Sequence, residues 1–166
     1  MKKLLIFLAA LAMTACSALK PTTCSVQPTF YKYRYVYIIP TGSVTGSTSV
    51  YTSSVDNRVH GGETRTTNPA DMMSGYLMQK GFTILPQLDQ NKLSETLVLH
   101  YGETGHRSVG FLWLFDATSI IIQFRDAQNN DLIASAESED YGATEADNVR
   151  YAIRNALDAI FAQPRY

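Results

Sequence analysis

The chain predicts an α+β domain: a mixed, mostly antiparallel sheet with two helices packed on one of its faces. Three stretches carry that expectation. Phe30–Ile39 (FYKYRYVYII) alternates Tyr31, Tyr33, Tyr35, Tyr37 and Ile39 with Phe30, Lys32, Arg34, Val36 and Ile38, the period of two of a pleated strand. Thr118–Arg125 (TSIIIQFR) and Leu132–Ser138 (LIASAES) flank the turn-forming Asp126–Asp131 (DAQNND), which reads as a β-hairpin. Near the C-terminus, Val149, Ile153, Ala156, Leu157, Ile160 and Phe161 recur at spacings of three and four, the apolar stripe of a helix.

The chain opens on a basic head, Lys2 and Lys3, followed by the apolar run Leu4–Leu11 and then Ala12, Met13, Thr14 and Ala15. That order describes a secretory signal too short to span a bilayer permanently. Cys16, directly after Thr14-Ala15, makes the segment resemble a bacterial lipobox, with Met13 where leucine is usual. The resemblance implies cleavage after residue 15, diacylation of the Cys16 thiol and acylation of the new amino terminus. Residues 16–28, with Pro21, Thr22, Thr23, Ser25 and Pro28, read as a flexible tether, and residues 29–163 as one domain. With Cys16 acylated, Cys24 has no partner within the chain, so no disulfide framework is expected. A lone thiol there is either incidental or available to cross-link a second chain.

The tyrosine strand is expected to enter from an exposed rim and become buried near Ile38, before Pro40 ends it. Thr41–Asn68 is rich in Gly, Ser and Thr; it offers one weak polar strand, Ser47–Val55, and a turn at Gly61-Gly62 within a surface loop. Asn68 and Pro69 open the first helix as cap and first helical residue, with Asp71 at the positive end of its dipole. Gly81 stops that helix and Phe82 folds back on it, leading into a short strand, Phe82–Leu85. Leu97–Tyr101 reads as a strand and Gly102–Gly110 as a polar loop. Val109–Phe115 (VGFLWLF), which holds the only tryptophan, lacks alternation and is either a buried strand or an apolar tip. Thr144 caps the closing helix, with Glu145 and Asp147 in its first turn, and Pro164 stops it.

Composition narrows the function classes. Loss of residues 1–15 removes two lysines and no acids, so 14 Lys and Arg become 12 against 15 Asp and Glu. That balance is no footprint for nucleic acid or an anionic lipid surface, either of which would want a basic patch. After Cys16 no apolar run approaches the roughly 20 residues of a spanning helix. No glycine pattern matches a phosphate cradle, and no cofactor is expected.

Taken in order, the lipobox, the tyrosine-rich opening strand, the helix ending Leu77-Met78-Gln79-Lys80-Gly81-Phe82, the long hairpin and the amphipathic closing helix resemble small bacterial envelope lipoproteins. Several such families are uncharacterised, notably among Bacteroides-like bacteria, and some related architectures are envelope-assembly accessories. The resemblance implies an anchored α+β domain that contacts partners, and it brings no catalytic residues. Ser17 after Cys16, by analogy with enterobacterial sorting, implies the outer membrane. No acidic cluster follows, which implies the periplasmic face.

Reactive groups are sparse. His100, Glu103 and His106 (HYGETGH) are weak metal candidates; zinc would need further ligands, which His60 and Glu63 could supply only if their loops met. Ser74 sits within a helix and lacks the GxSxG elbow of a hydrolase nucleophile. Glu137, Glu139 and Asp140 read as solvated charges before a helix. The expected function is therefore that of a non-enzymatic, membrane-anchored domain binding an envelope protein or glycan. Its candidate contact residues are Tyr31, Tyr33, Tyr35, Phe111 and Trp113. A hydrolase of wall or glycan material using His100, Glu103 or His106 is one alternative. A small lipid- or glycan-binding lipoprotein is the other.

Overall fold

The computed structural model describes residues 19–47, 51–52, 59–60, 64–109 and 115–164. Strand β1 (Thr23–Val26) leads through a 3-10 turn at Pro28–Lys32 to β2 (Tyr35–Ile38). A ribbon follows: β3 (Val44–Ser47), β4 (Tyr51–Thr52), β5 (Val59–His60) and β6 (Thr64–Thr67). Then come helix α1 (Pro69–Gln79), β7 (Thr83–Leu85), β8 (Thr96–Val109), β9 (Phe115–Asp126), β10 (Leu132–Tyr141) and helix α2 (Glu145–Phe161). The main sheet has six strands in the order β1-β10-β9-β8-β2-β7. β2 lies parallel to β7 and β8, and every other pairing in the sheet is antiparallel. The architecture is the expected α+β sandwich.

Strand parity decides which side chains meet the helices. Ile120, Ile122 and Phe124 of β9, Leu97 and Leu99 of β8, Val36 and Ile38 of β2, and Ala134 and Ala136 of β10 all point into one core. Val149, Ile153, Ala156, Leu157 and Ile160 of α2 close on them, as do Met73 and Leu77 of α1. The alanines of β10 let α2 lie close to the sheet. Phe30 plugs the core, with ring centroids 5.3 Å from Phe124, 5.6 Å from Phe161 and 5.9 Å from Phe82. The contacts with Phe124 and Phe161 are edge-on and that with Phe82 is tilted, and they add to the area that the ring removes from water.

The helix ends follow their local chemistry. Asn68 Oδ1 accepts from Ala70 N at 3.0 Å, with Pro69 at the first position, and Thr144 Oγ1 accepts from Asp147 N at 3.2 Å. Gly81 takes φ +95, and Phe82 N donates back to Leu77 O at 3.1 Å. Lys80 folds its ammonium over the rings of Tyr76 and Phe161.

Four expectations are corrected. The tether of residues 16–28 does not stay free along its length: Thr23–Val26 pairs with β10, and Cys24 and Val26 pack against the core. Its Thr and Ser content disguised a short edge strand whose inward residues are Cys24 and Val26. The strand expected over Phe30–Ile39 begins only at Tyr35, because Pro28 starts a 3-10 turn that drives Phe30 inward. The polar loop at Gly102–Gly110 is instead β-structure to Val109, paired with β9 through a bulge between Glu103 and Gly105. The Gly/Ser/Thr-rich loop carries paired arms, β3 with β6 and β4 with β5. The Gly61-Gly62 turn and much of Ser47–Val55 lie outside the described residues.

Two glycines should respond to alanine in opposite ways. A Cβ on Gly142 would lie 2.6 Å from Asp147 Cβ, forcing the start of α2 to shift. Gly142→Ala should destabilise by about 1–3 kcal/mol. Gly75 lies inside α1 with nothing within 4 Å of its missing Cβ. Gly75→Ala should stabilise by roughly 0.5–1 kcal/mol. Urea midpoints of the two variants, compared with the parent, check both signs.

Candidate functional site

Both helices lie on one side of the sheet, so parity assigns a second set of side chains to the other. Register across β10, β9, β8 and β2 brings Ser135 beside Gln123, Gln123 beside His100, and Val98 beside Arg125 and Tyr37. Tyr35 and Glu137 extend the same surface, and Lys92 holds its ammonium 4.9 Å from the centre of the Tyr35 ring. Among the described residues, no helix or ribbon covers this face. It is mixed in character: tyrosine rings at the β2 edge, amide and basic groups in the middle, serine and carboxylate toward β1. Burial, then the nearby Arg125 guanidinium, pushes the His100 imidazole below its ordinary range, which leaves it neutral at pH 7.

The tyrosine row is not continuous. Tyr33 is 4% exposed, and its hydroxyl donates to Asp126 Oδ2 at 2.6 Å. Burial and this carboxylate raise its pKa. Burial opposes ionisation of Asp126, but the Tyr33 hydroxyl and the N–H groups of Gln128 and Asn129 outweigh it and lower the pKa. Tyr33 is thus a brace for the β9–β10 turn and not a contact residue. Tyr31 is half-buried and donates to Gln163 O at 3.0 Å; Tyr35 remains partly open on the uncovered face. Phe111 and Trp113 lie outside the described residues, as does Cys16. The chain leaves for that segment at Val109 and returns at Phe115, which are partners in register.

The histidine motif divides. His106 Nε2 lies 3.3 Å from Glu103 Oε2, and its Nδ1 lies 3.2 Å from Thr118 Oγ1. Glu103 also accepts from the Tyr101 hydroxyl at 3.0 Å. His100 instead faces Arg125 across the open side of the sheet. Among the described residues, no group of three or more His, Cys, Asp or Glu side chains is placed to hold a metal ion. The Thr118–His106–Glu103 row has the order of a nucleophile, base and orienting acid. Thr118, however, is 0% exposed, so no substrate carbonyl can reach its hydroxyl. The space beneath the helices, where a small-ligand cavity would lie, is filled by Phe30, Phe124, Met73 and Leu77.

The polar centre missed in the sequence is Glu139. It was expected to be solvated, but its side chain is 1% exposed. Arg107 Nε donates to Oε1 at 2.7 Å and Nη2 to Oε2 at 2.5 Å, a two-pronged clamp from β8 to β10. Ser119 Oγ donates to Oε1 at 3.0 Å, and the backbone N–H of Lys20 donates to Oε2 at 2.9 Å. The Arg107 guanidinium, chiefly, holds the carboxyl down at about 2, against the cost of burial. With both oxygens engaged, Glu139 is a structural tie and not a proton acceptor. An open-sided cleft of about 360 Å³ beside it is lined by Lys20, Pro21, Thr23 and Glu137. The sequence signal for this centre was slight: Glu139 falls on the same strand parity as Glu137, facing away from the alanines.

Glu139→Gln keeps the shape and removes the charge under Arg107. The native pKa lies below the ordinary carboxyl value, so the ionised clamp stabilises fully above about 4.5 and loses its contribution as pH falls toward 2. The substitution should destabilise at neutral pH by about 1.5–3 kcal/mol, the range for hydrogen bonds to a charged group, since the Arg107 left behind keeps part of its side chain in water. Urea unfolding of parent and variant over that pH range should show the gap narrowing as the solution becomes acid.

No protein-family model and no curated protein matches the chain. Among solved structures, a PelC variant dodecamer from Paraburkholderia phytofirmans aligns with a TM-score of 0.50 at 12% identity, covering 85% of this chain and 98% of that one. A second PelC dodecamer from the same organism aligns with a TM-score of 0.48 at 11% identity, covering 86% of this chain and 97% of that one. At 12% identity the first likeness is one of fold alone.

Proposed function

We propose that this chain is a lipid-anchored protein of the bacterial envelope whose α+β domain acts by contact, binding another protein or an envelope component. The observation that carries the reading is the sheet face that neither helix covers. It offers tyrosine rings, a neutral imidazole, amides and an arginine in one surface, the mixture found at contact sites. The lipobox-like segment ending at Cys16 supplies the anchor. No helix among the described residues is long and apolar enough to cross a membrane. Phe111 and Trp113 join Tyr35 as contact residues in this proposal, the outer membrane is the proposed home, and the domain faces the periplasm.

The hydrolase alternative, resting on His100, Glu103 or His106, loses support because His100 lies apart from the His106–Glu103 pair and the hydroxyl beside His106, that of Thr118, is buried. The small-ligand alternative loses it from the filled core.

Mass spectrometry of the protein from native envelopes should show residues 1–15 removed and Cys16 acylated. Cys16→Ser should move the protein from the membrane to the soluble fraction. A photo-cross-linking side chain at Tyr37 or Gln123, on the open face, should give discrete adducts in whole envelopes; one on the outer surface of α2, at Arg154, should not. Absence of adducts from the open face would sink the contact role, and an unmodified Cys16 would sink the anchor.

A further inference from the structure

The chain from Cys16 joins the fold at a defined corner. Lys20 N is held by Glu139 Oε2, Thr22 Oγ1 lies 3.0 Å from Ser138 Oγ, and from Thr23 onward β1 is in register with β10. Glu139 is fastened in turn by Arg107 of β8 and Ser119 of β9. Three strands therefore fix the point of attachment. Antiparallel order places the last residues of β8 and β10 and the first of β9 at this same end, where Val109 faces Phe115 and Tyr141 faces Ala117. The other end carries the turn between Asp126 and Leu132 and the 3-10 turn Leu93–Glu95.

Two lengths decide the geometry. Four residue steps separate Cys16 from Lys20, and even fully extended they span only ~15 Å. β9, which runs from Phe115 to Asp126, is about 40 Å long at ~3.3 Å per residue. An anchor on so short a leash cannot serve the far end of the sheet. Residues 20–22 run alongside the end of β10, so the described chain, followed back toward its start, heads along the strand direction to this end of the sheet.

We infer that the domain stands end-on upon the bilayer, its Arg107–Ser119–Glu139 corner against the lipid headgroups and its β9–β10 turn directed away from the membrane. The inference rests on acylation of Cys16 as proposed above. Its partner is the headgroup layer of the membrane that holds the lipid anchor. The uncovered sheet face then runs along the membrane normal and opens sideways.

Energy transfer in reconstituted vesicles tests this. The full, acylated protein carrying Cys24→Ser receives a donor dye at Ala143→Cys, beside the corner, or at Gln128→Cys, in the far turn; both positions are exposed. The vesicles contain phosphatidylethanolamine and phosphatidylglycerol with an acceptor on the headgroup. Transfer from position 143 should exceed transfer from position 128 several-fold. A flexible Gly/Ser linker of about ten residues inserted before Lys20 should erase most of that contrast while leaving the protein on the vesicles. Equal transfer from both positions in acylated protein overturns the orientation and leaves the anchor intact. A contrast that survives the linker shows that the leash does not set it, and overturns the inference as well. Mass spectrometry of the same sample reads Cys16 directly, so failure of the anchor is a separate result.

Discussion

The fold depends on removing one face of the β8–β9–β10 meander from water. Ile120, Ile122 and Phe124 occupy the central strand, with Leu97 and Leu99 on one side and Ala134 and Ala136 on the other. Small residues on β10 allow α2 to approach, and the larger ones on β8 and β9 fill the wedge between α2 and α1. Burial of a large aliphatic or aromatic side chain contributes about 1.5–3 kcal/mol, so this stripe outweighs any single polar tie. Phe30 seals the assembly from the β1–β2 connection, which explains why a 3-10 turn replaces the strand that the tyrosine pattern suggests.

Once one face is committed to the core, strand parity turns the alternate residues to the other, where Tyr35, His100 and Gln123 are half-buried while Ser119 and Glu139 are buried by their own pairing. Electrostatics reinforces the division. Tyr33 with Asp126, and Glu139 with Arg107, are paired charges and hydroxyls whose hydrogen-bonding capacity is turned inward to tie strands together. Groups such as Tyr35 and His100 stay partly open on the uncovered face.

The legible parts of the chain were those set by local chemistry. The Asn68-Pro69 and Thr144 caps, the Gly81 stop and the stripe of α2 each depend on residues within one or two turns of each other. So does the hairpin around Asp126–Asp131, where Asn130 takes φ 63. What escaped was set at a distance. β1 resembles a tether until β10 pairs with it, and the polar second half of β8 resembles a loop until β9 lies alongside. The burial of Glu139 depends on Arg107, 32 positions earlier. The tyrosine period was real, but which tyrosines face solvent depended on where Phe30 docked. At the candidate site, Tyr35 is half-buried on the uncovered face, whereas nothing local could foretell that Tyr33 turns inward.

The two outer strands of the sheet have a further implication. β1 spans Thr23–Val26 with Pro21 and Pro28 at its flanks, and β7 spans Thr83–Leu85 with Pro86 immediately after it. Short borders bracketed by proline are poor templates for backbone-to-backbone zipping with a neighbour. Molecules tethered to a bilayer are confined to two dimensions and collide far more often than free ones. Under the lipid anchorage proposed above, such truncated margins would steer encounters toward side-chain recognition across the broad flat of the sheet and guard against runaway fibril growth.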